Sequence, residues 1–281
     1  MADTGAQPPD GPDPADAGEP PLRVVQFTDL HLYADPDGRL LGQNTRLTFE
    51  SVIALARQHQ WPPDALVLTG DLIHDEHIEG YRFLRKRLEA LGVPCFCIPG
   101  NHDRMDLMVG FADSGSASGF RVQPLGLWDL ILLDSTVPFE EGGHIENTVL
   151  ADLDRHAAEN VKRNLLIFLH HHPEPIGSSW IDTMLVDNGA ELLATAARHY
   201  NVRGIFCGHV HQVFESRHRD RDWKSTPSTC IQFLPGSADF ALDALTPGFR
   251  WFDLYPDGRL ETAVMRTNAY PEPLHASNTG Y

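Results

Sequence analysis

The chain has 281 residues, a hydrophobic content of 42% and a formal net charge of −17 at neutral pH. A chain of this length can bury a sizeable core, and we expect one large domain. Nucleic acids are bound through clustered Lys and Arg, so this negative charge argues against a polymeric nucleic-acid partner. A small anionic substrate stays possible, because bound cations can make a single pocket locally positive.

The N-terminal segment differs in composition from the rest of the chain. Residues 1–21 contain six prolines and five acidic residues but no Lys or Arg. Such a segment cannot bury enough apolar surface to offset the conformational entropy lost on ordering. The composition therefore predicts a disordered acidic tail, followed by a domain over residues 22–281. No apolar run approaches the roughly 20 residues that span a bilayer, and no secretory signal is visible. With four cysteines and no Cys-x-x-Cys pair, we expect reduced thiols in a cytoplasmic protein without a membrane partner, either a monomer or a homodimer.

From residue 22 onward, short apolar segments alternate with amphipathic ones. Helical spacing occurs in three sets of residues: Val52, Leu55, Ala56 and His59; Tyr81, Leu84, Leu88 and Leu91; Leu193, Ala196, Ala197 and Tyr200. Short β-branched or aromatic segments predict strands at 23–28, 65–69, 93–98, 128–133, 165–169, 203–207, 230–234 and 249–254. Strand–helix units in the first half and mostly strands in the last third predict a layered α/β fold with mixed sheets.

Polar clusters follow directly after five of these predicted strands. They are Asp29-Leu30-His31, Gly70-Asp71, Gly100-Asn101-His102-Asp103, His170-His171-His172 and Gly208-His209-Val210-His211. Loops at the carboxyl ends of strands share one edge in layered α/β folds, so these side chains should meet in one cleft. Asp29 and His31 are two residues apart, and so are His209 and His211. If the strands continue through these clusters, both members of each pair can face the same metal ion, because alternate residues of a strand share a face. The glycines would let the backbone turn sharply and pass close to a ligand.

The chemistry of these clusters indicates metal binding. Imidazole, carboxylate and amide oxygen suit iron, manganese, zinc or cobalt. Any single pair of this kind is more often a strand-end turn, but five clusters at five strand ends predict a metal centre. Asp29 and Asp71 contribute two negative charges, so two divalent ions would leave the site at about +2, which a hydroxide and a phosphodiester would neutralise. Asp71 is the expected bridging carboxylate.

In this order, the clusters resemble the sequence blocks of the calcineurin-like metallophosphoesterase superfamily. Three further segments are similar to the bacterial class III cyclic AMP phosphodiesterases: His170 to Pro173, Gly177-Ser178 with Trp180 and Asp182, and Thr226 to Phe233. The likeness extends from residue 23 to the C-terminus. It implies a sandwich of two mixed β-sheets flanked by helices, and two metal ions that in that family are iron or manganese.

The resemblance also implies a role for each candidate site residue. One ion would be held by Asp29, His31, Asp71 and His211. The other would be held by Asp71, Asn101, His171 and His209, with Asp71 as the bridge. Of three consecutive histidines, His171 is chosen because the family's ligand lies two residues before a proline, here Pro173, and His170 and His172 stay unassigned. The expected substrate contacts are His31, Asp71, Asn101, His102 and His211.

The expected reaction is attack on phosphorus by a hydroxide that bridges the metal ions, opening 3′,5′-cyclic AMP to 5′-AMP. His102 would stabilise or protonate the leaving oxygen, and Asp103 would orient a neighbouring histidine. Trp180 could stack on a base, although a tryptophan in the core is the commoner outcome. The alternatives are other phosphodiesters and phosphomonoesters, since the same metal core hydrolyses them. A non-catalytic scaffold, as in the retromer's metallophosphoesterase subunit, typically loses ligands, and this chain has lost none.

Overall fold

The computed structural model of the chain describes residues 19–108, 119–218 and 221–275. The strands in these ranges are β1 Leu22–Phe27, β2 Arg39–Leu40, β3 Gln43–Asn44, β4 Ala65–Thr69, β5 Cys95–Ile98, β6 Phe120–Leu125, β7 Trp128–Leu133, β8 Asn164–Phe168, β9 Val202–Cys207, β10 Glu215–His218, β11 Arg221–Ser225, β12 Gln232–Phe233, β13 Leu242–Asp243, β14 Gly248–Leu254 and β15 Leu260–Arg266. The α-helices are α1 Thr45–His59, α2 Ile78–Glu89, α3 Asn147–Glu159 and α4 Gly189–Ala197, and a 3-10 helix covers Ile181–Met184.

Two mixed sheets form the centre of the fold. The first has the strand order β15-β14-β1-β4-β5. Strands β1, β4 and β5 are parallel, β14 is antiparallel to β1, and β15 is antiparallel to β14. The second has the order β10-β11-β9-β8-β7-β6, with its four inner strands parallel and both edge strands antiparallel. The prediction of two mixed sheets is confirmed.

The sheets pack face to face, and helices cover their outer faces. Val67 of β4 and Phe252 of β14 lie in one buried cluster with Leu130 of β7 and Phe168 of β8, so this cluster is the interior of a sandwich. Successive residues of a strand point to opposite faces. The alternate residues of the first sheet pack on α1 and α2, and those of the second sheet pack on α3 and α4. Strands buried on both faces need continuous apolar runs, as in β4, where all five residues are buried.

All eight predicted strands and all three predicted helices are present, with bounds that shift by a few residues. Tyr200 lies beyond the end of α4 and is exposed. The predicted tail, residues 1–21, lies outside the described residues except for its last three, and β1 begins directly after it. None of the helices in the described ranges is long and apolar enough to cross a membrane.

The fold brings the predicted clusters together at one edge of the sandwich. β1, β4 and β5 run parallel in one sheet, and β8 and β9 run parallel in the other. Each of these five strands ends one or two residues before one of the five polar clusters. The carboxyl ends of both sheets therefore supply the loops of the candidate site.

Candidate metal centre

The backbone of the ligand loops is turned and not extended. Five of the seven predicted ligands have left-handed backbone angles: Asp29 (φ +52°), His31 (φ +46°), Asp71 (φ +51°), His209 (φ +66°) and His211 (φ +45°). The premise that strands continue through these clusters is therefore wrong, since β1 ends at Phe27 and β9 ends at Cys207. The side chains converge because each loop turns at its ligands. Left-handed residues other than glycine cost about 1–3 kcal/mol each, so surrounding contacts must hold them in place.

Glycines allow the loops to approach one another closely. Gly70 has φ +88°, which confirms the sharp turn predicted there. A Cβ atom at Gly100 would lie 2.8 Å from His170 Cε1, and one at Gly208 would lie 2.8 Å from Asp29 Oδ2. At these two positions the glycine makes room for a neighbouring side chain of the site.

Asp29, His31, Asp71 and His211 form a first group of fully buried side chains, whose candidate ligand atoms all lie within 4.8 Å of one another. The Nε2 atoms of His31 and His211 are 3.1 Å apart. His31 Nε2 lies 3.6 Å from Asp71 Oδ2, and His211 Nε2 lies 3.4 Å from Asp29 Oδ1. Two imidazole nitrogens between two carboxylates make a donor set that fits a transition-metal cation.

A second group adjoins the first through Asp71. His170, His171 and His209 have ligand atoms within 4.8 Å of one another. His170 Nε2 lies 3.1 Å from Asn101 Oδ1 and 3.4 Å from Asp71 Oδ1, so the two oxygens of Asp71 face different groups. The buried His209 Nε2 has no hydrogen-bond partner within the described chain, and an unsatisfied buried nitrogen is costly unless it binds something. These donors fit a second cation bridged to the first by Asp71.

Hydrogen bonds at Nδ1 turn three of the histidine rings toward the centre. Nδ1 lies 2.8 Å from the Ile231 carbonyl oxygen in His211, 2.8 Å from Ser135 Oγ in His171 and 2.7 Å from the Thr69 carbonyl oxygen in His170. Metal-binding histidines typically make such a bond through the nitrogen that does not coordinate, which fixes the tautomer and the ring. His171 Nε2 also lies 3.2 Å from the Glu141 carbonyl oxygen.

Burial and neighbouring charges set the protonation states. Burial lowers the pKa of His31, His171 and His209 well below the ordinary value, which keeps these rings neutral and able to coordinate. Burial disfavours the Asp71 carboxylate, but neighbouring histidines, His170 first, hold its pKa well below its usual range. Burial also disfavours the charged ring of His170, yet Asp71 raises the pKa of His170 to about 9. His170 is therefore a cationic donor beside the carboxylate.

His102 lies outside these two groups but belongs to a third one, with His31 and His74, whose candidate ligand atoms lie within 4.8 Å of one another. Its backbone N–H donates to Asp71 Oδ1 at 3.0 Å, and its half-buried ring has its centroid 5.1 Å from that of His31. The ring is thus close to the predicted ligands and still reachable from solvent. This placement suits the role predicted for it.

Asp103 does not act as the sequence predicted. Its carboxylate accepts hydrogen bonds from the backbone N–H groups of Leu72, Ile73 and Gly100 and from the hydroxyl of Tyr81. None of these donors is a histidine. Asp103 instead ties the loop after β4 to the loop after β5, which positions Asp71 and Asn101 relative to each other.

His74 is a site residue that sequence reasoning missed. Its Nδ1 lies 3.2 Å from His31 Nδ1, and its ring stacks on that of His102 with centroids 5.1 Å apart and an angle of 26°. Burial is the main cause that lowers its pKa to about 4. His74 lies three residues beyond Asp71, where the strand-end pattern no longer points to it.

Trp180 and His172, which lie in the segments that carry the family resemblance, pack against neighbouring side chains. Trp180 is partly buried and packs edge-on against Phe233 and Phe240, with ring centroids 5.0 and 5.2 Å away, so it packs against the apolar core. His172 is buried, lies 3.4 Å from Asp182 Oδ1 and stacks on His209. Asp182 also accepts the backbone N–H groups of residues 176 and 177.

Comparison with known proteins agrees with this geometry. The sequence profile of the calcineurin-like phosphoesterase family matches residues 22–213. The chain belongs to this family. It is 38% identical over 251 residues to the 3′,5′-cyclic adenosine monophosphate phosphodiesterase CpdA of Escherichia coli strain K12, covering 89% of this chain and 91% of that protein. The protein of the same name from Pseudomonas aeruginosa is 37% identical over 259 residues, covering 92% and 94%.

Solved structures support the fold of this family member. A dimetal phosphatase from Danio rerio matches 89% of this chain and all of its own chain with a TM-score of 0.65, at 17% sequence identity. The purple acid phosphatase PPD1 of yellow lupin matches 90% of this chain and 52% of its own with a TM-score of 0.67, at 14% identity.

Proposed function

We propose that the chain is a metal-dependent phosphodiesterase that hydrolyses 3′,5′-cyclic AMP to 5′-AMP. The observation that carries the proposal is the pair of buried donor groups that meet at Asp71, whose Oδ2 faces His31 of the first group and whose Oδ1 faces His170 of the second. Its substrate is inferred from relatives named as cyclic AMP phosphodiesterases that align over about nine-tenths of the chain.

Asp29, His31, Asp71 and His211 would hold one ion, and Asp71, Asn101, His171 and His209 would hold the second. Iron and manganese are the proposed metals because the family resemblance implies them, and the nitrogen and oxygen donors are compatible with both. His170 would remain beside the second ion without binding it, with Nε2 3.1 Å from Asn101 Oδ1 and 3.4 Å from Asp71 Oδ1.

Metal analysis separates the roles of the two adjacent histidines. His171→Ala should lose one of two metal equivalents, whereas His170→Ala should keep both and bind them more weakly. The reverse result would make His170 the ligand, which its position beside Asp71 and Asn101 also permits sterically.

Two bound ions would supply a hydroxide near neutral pH and positive charge for the phosphoryl oxygens. The chain's own residues prepare that chemistry. Asp29 is fixed by the backbone N–H of His209, which donates to both of its carboxylate oxygens at 3.0 and 3.1 Å. His102 lies at the edge of the cluster with a partly exposed ring, where it can give a proton to the departing 3′ oxygen.

The decisive experiment compares kcat/KM for cyclic AMP, cyclic GMP, 2′,3′-cyclic AMP, a simple aryl phosphodiester and an aryl phosphomonoester on the same manganese-loaded protein. Cyclic AMP should be the best substrate, with cyclic GMP also hydrolysed. If cyclic AMP is not hydrolysed while another diester is, the chain is a phosphodiesterase with a different substrate. If only the monoester is hydrolysed, the proposal is wrong.

A further inference from the structure

A pocket of about 420 Å³ opens next to the metal centre. It is lined by Gly100 and Asn101, by residues 103–106, by residues 136–139 and by Glu76. Its volume falls within the range of about 300–1,000 Å³ that is usual for small-molecule sites. Asn101, a predicted ligand whose Oδ1 lies 3.1 Å from His170 Nε2, belongs to the lining, so the pocket adjoins the place where a phosphate would bind.

The lining of the pocket suits an uncharged planar group. Its cation, Arg104, is engaged by Glu76 at 3.2 Å and by Asp106 at 2.9 Å. Its apolar part consists of Met105, Val137, Pro138 and Phe139. A nucleotide has the same two parts, an anionic phosphate for the metal centre and a neutral aromatic base for the adjoining apolar surface.

One wall of the pocket is anchored to the metal centre at its start. Ser135 Oγ lies 2.8 Å from His171 Nδ1, the nitrogen that would not coordinate. The backbone N–H of His144 donates to the Ser135 carbonyl oxygen at 3.0 Å, which closes the loop. The loop 135–144 is therefore held in place by a predicted ligand, and Phe139 lies at its tip.

Phe139 combines two unfavourable features at this tip. Its side chain is fully exposed to solvent, and its backbone is left-handed with φ +68°. A positive φ is an outlier for a bulky residue, and an exposed phenyl ring forgoes hydrophobic burial. Both features are explained if a ligand covers the ring in the pocket that Phe139 lines.

We propose that Phe139 forms the base-stacking wall of a nucleoside subsite, with the phosphate of the bound nucleotide at the metal centre. The identity of the nucleotide rests on the proposed function. Every base offers a π-face, so stacking on Phe139 accepts adenine and guanine alike. This subsite replaces Trp180, which packs against the apolar core, as the aromatic that meets the base.

Binding of two products that differ only in the base tests the proposal. Calorimetry on the manganese-loaded protein gives the Kd for 5′-AMP and for ribose 5-phosphate, in the unaltered chain, Phe139→Ala and Phe139→Trp. Phe139→Ala should weaken 5′-AMP binding by about 5- to 150-fold, the usual worth of one stacked base, and leave ribose 5-phosphate binding unchanged within error. Phe139→Trp should restore 5′-AMP binding. The matched control is Leu127→Ala, an exposed apolar residue just before β7, at the opposite end of the strands.

The outcomes are distinct for the two proposals. Equal weakening of both ligands in Phe139→Ala, or no weakening of either, overturns the subsite. Failure of the unaltered chain to hydrolyse cyclic AMP overturns the proposed function, whatever the ratio of the two Kd values. A selective loss of 5′-AMP binding supports the subsite in both cases.

Discussion

Replacing Gly70 by alanine tests whether close packing of the ligand loops is required for both stability and activity. Gly70 has φ +88°, and an added Cβ would lie 2.7 Å from Gly100 N and 2.8 Å from Gly100 Cα, besides meeting His170 Nδ1. Gly100 directly precedes Asn101 in the chain. His170 Nδ1 is held by the Thr69 carbonyl oxygen, and the ring lies beside Asp71. Neither can move without shifting the metal centre.

The expected loss follows from three terms. The left-handed backbone costs about 1–2 kcal/mol for a residue with a Cβ. Forced overlap with packed neighbours costs about 1–3 kcal/mol. The unfolded chain loses freedom when glycine becomes alanine, which offsets about 0.4–1 kcal/mol. Gly70→Ala should therefore lower the free energy of unfolding by about 1–5 kcal/mol, which is a Tm decrease of roughly 2–20 °C at 2–4 °C per kcal/mol.

Gly177→Ala is the matched control, because Gly177 has the same φ of +88° but no atom within 4 Å of the added Cβ. Gly177→Ala therefore has the energetic cost of a left-handed backbone at a residue with a Cβ, but not the cost of steric overlap with neighbouring atoms. Tm by calorimetry and kcat/KM for cyclic AMP at saturating manganese should both fall further in Gly70→Ala than in Gly177→Ala. Equal Tm decreases in the two variants, with unchanged turnover in Gly70→Ala, would refute the argument that contact at Gly70 shapes the site.

Three substitutions test individual side chains of the centre. Asp71→Ala should abolish activity and lower the metal content from two equivalents, measured by elemental analysis; full activity would exclude Asp71 as the bridge. His102→Ala should keep both metals and lose roughly 10²- to 10⁴-fold in kcat, and loss of metal instead would make it a ligand. His74→Phe keeps an aromatic ring on His102 but removes the partner of His31 Nδ1, so metal affinity should fall about 10- to 100-fold in a competition titration. An unchanged affinity would show that His74 does not orient His31.

The strand-end pattern predicted the location of the site because it depends on topology alone. Parallel strands that end together bring their loops together, whatever the shape of each loop. The elements that the pattern missed carry weaker signals. β10 is an edge strand, Glu215-Ser216-Arg217-His218, without an apolar residue, and in its neighbour β11 only Trp223 is apolar, so neither strand shows apolar alternation. α3, by contrast, carries buried residues at helical spacing, at Val149, Leu153 and Ala157, so its sequence does contain a helical pattern.

The fine structure of the site depends on contacts between distant residues, which sequence spacing does not reveal. Asp103 directly follows His102 in the chain, and this adjacency favours a histidine as its hydrogen-bond partner. In the fold, the nearest donors come from residues 72, 73, 81 and 100. His74 reaches His31 for the same reason, since the loops after β1 and β4 lie side by side.

Left-handed backbone angles are concentrated at the predicted metal ligands. Hydrogen bonds that need no metal ion stabilise these angles. Of the eight non-glycine residues with positive φ in the described part of the chain, five are predicted ligands. Asp29 N–H donates to the Gly70 carbonyl at 3.0 Å and His31 N–H to that of Asp71 at 2.9 Å. The buried apolar clusters on both faces of each sheet support these loops without involving the ligands. These contacts are sufficient reason to expect that the sandwich holds the ligand loops in place without an ion.

This arrangement predicts that removal of the metals leaves the fold intact. Protein stripped with a chelator should keep its far-ultraviolet circular dichroism spectrum, lose all hydrolysis of cyclic AMP and regain it on addition of manganese. Its Tm should fall, because ions that bind only the folded state stabilise it by mass action and because Asp29 and Asp71 would lose their counter-charges. Collapse of the dichroism spectrum on chelation would contradict the argument, since it would mean that the ions order the loops and that the left-handed ligand backbone is not held by the sandwich itself.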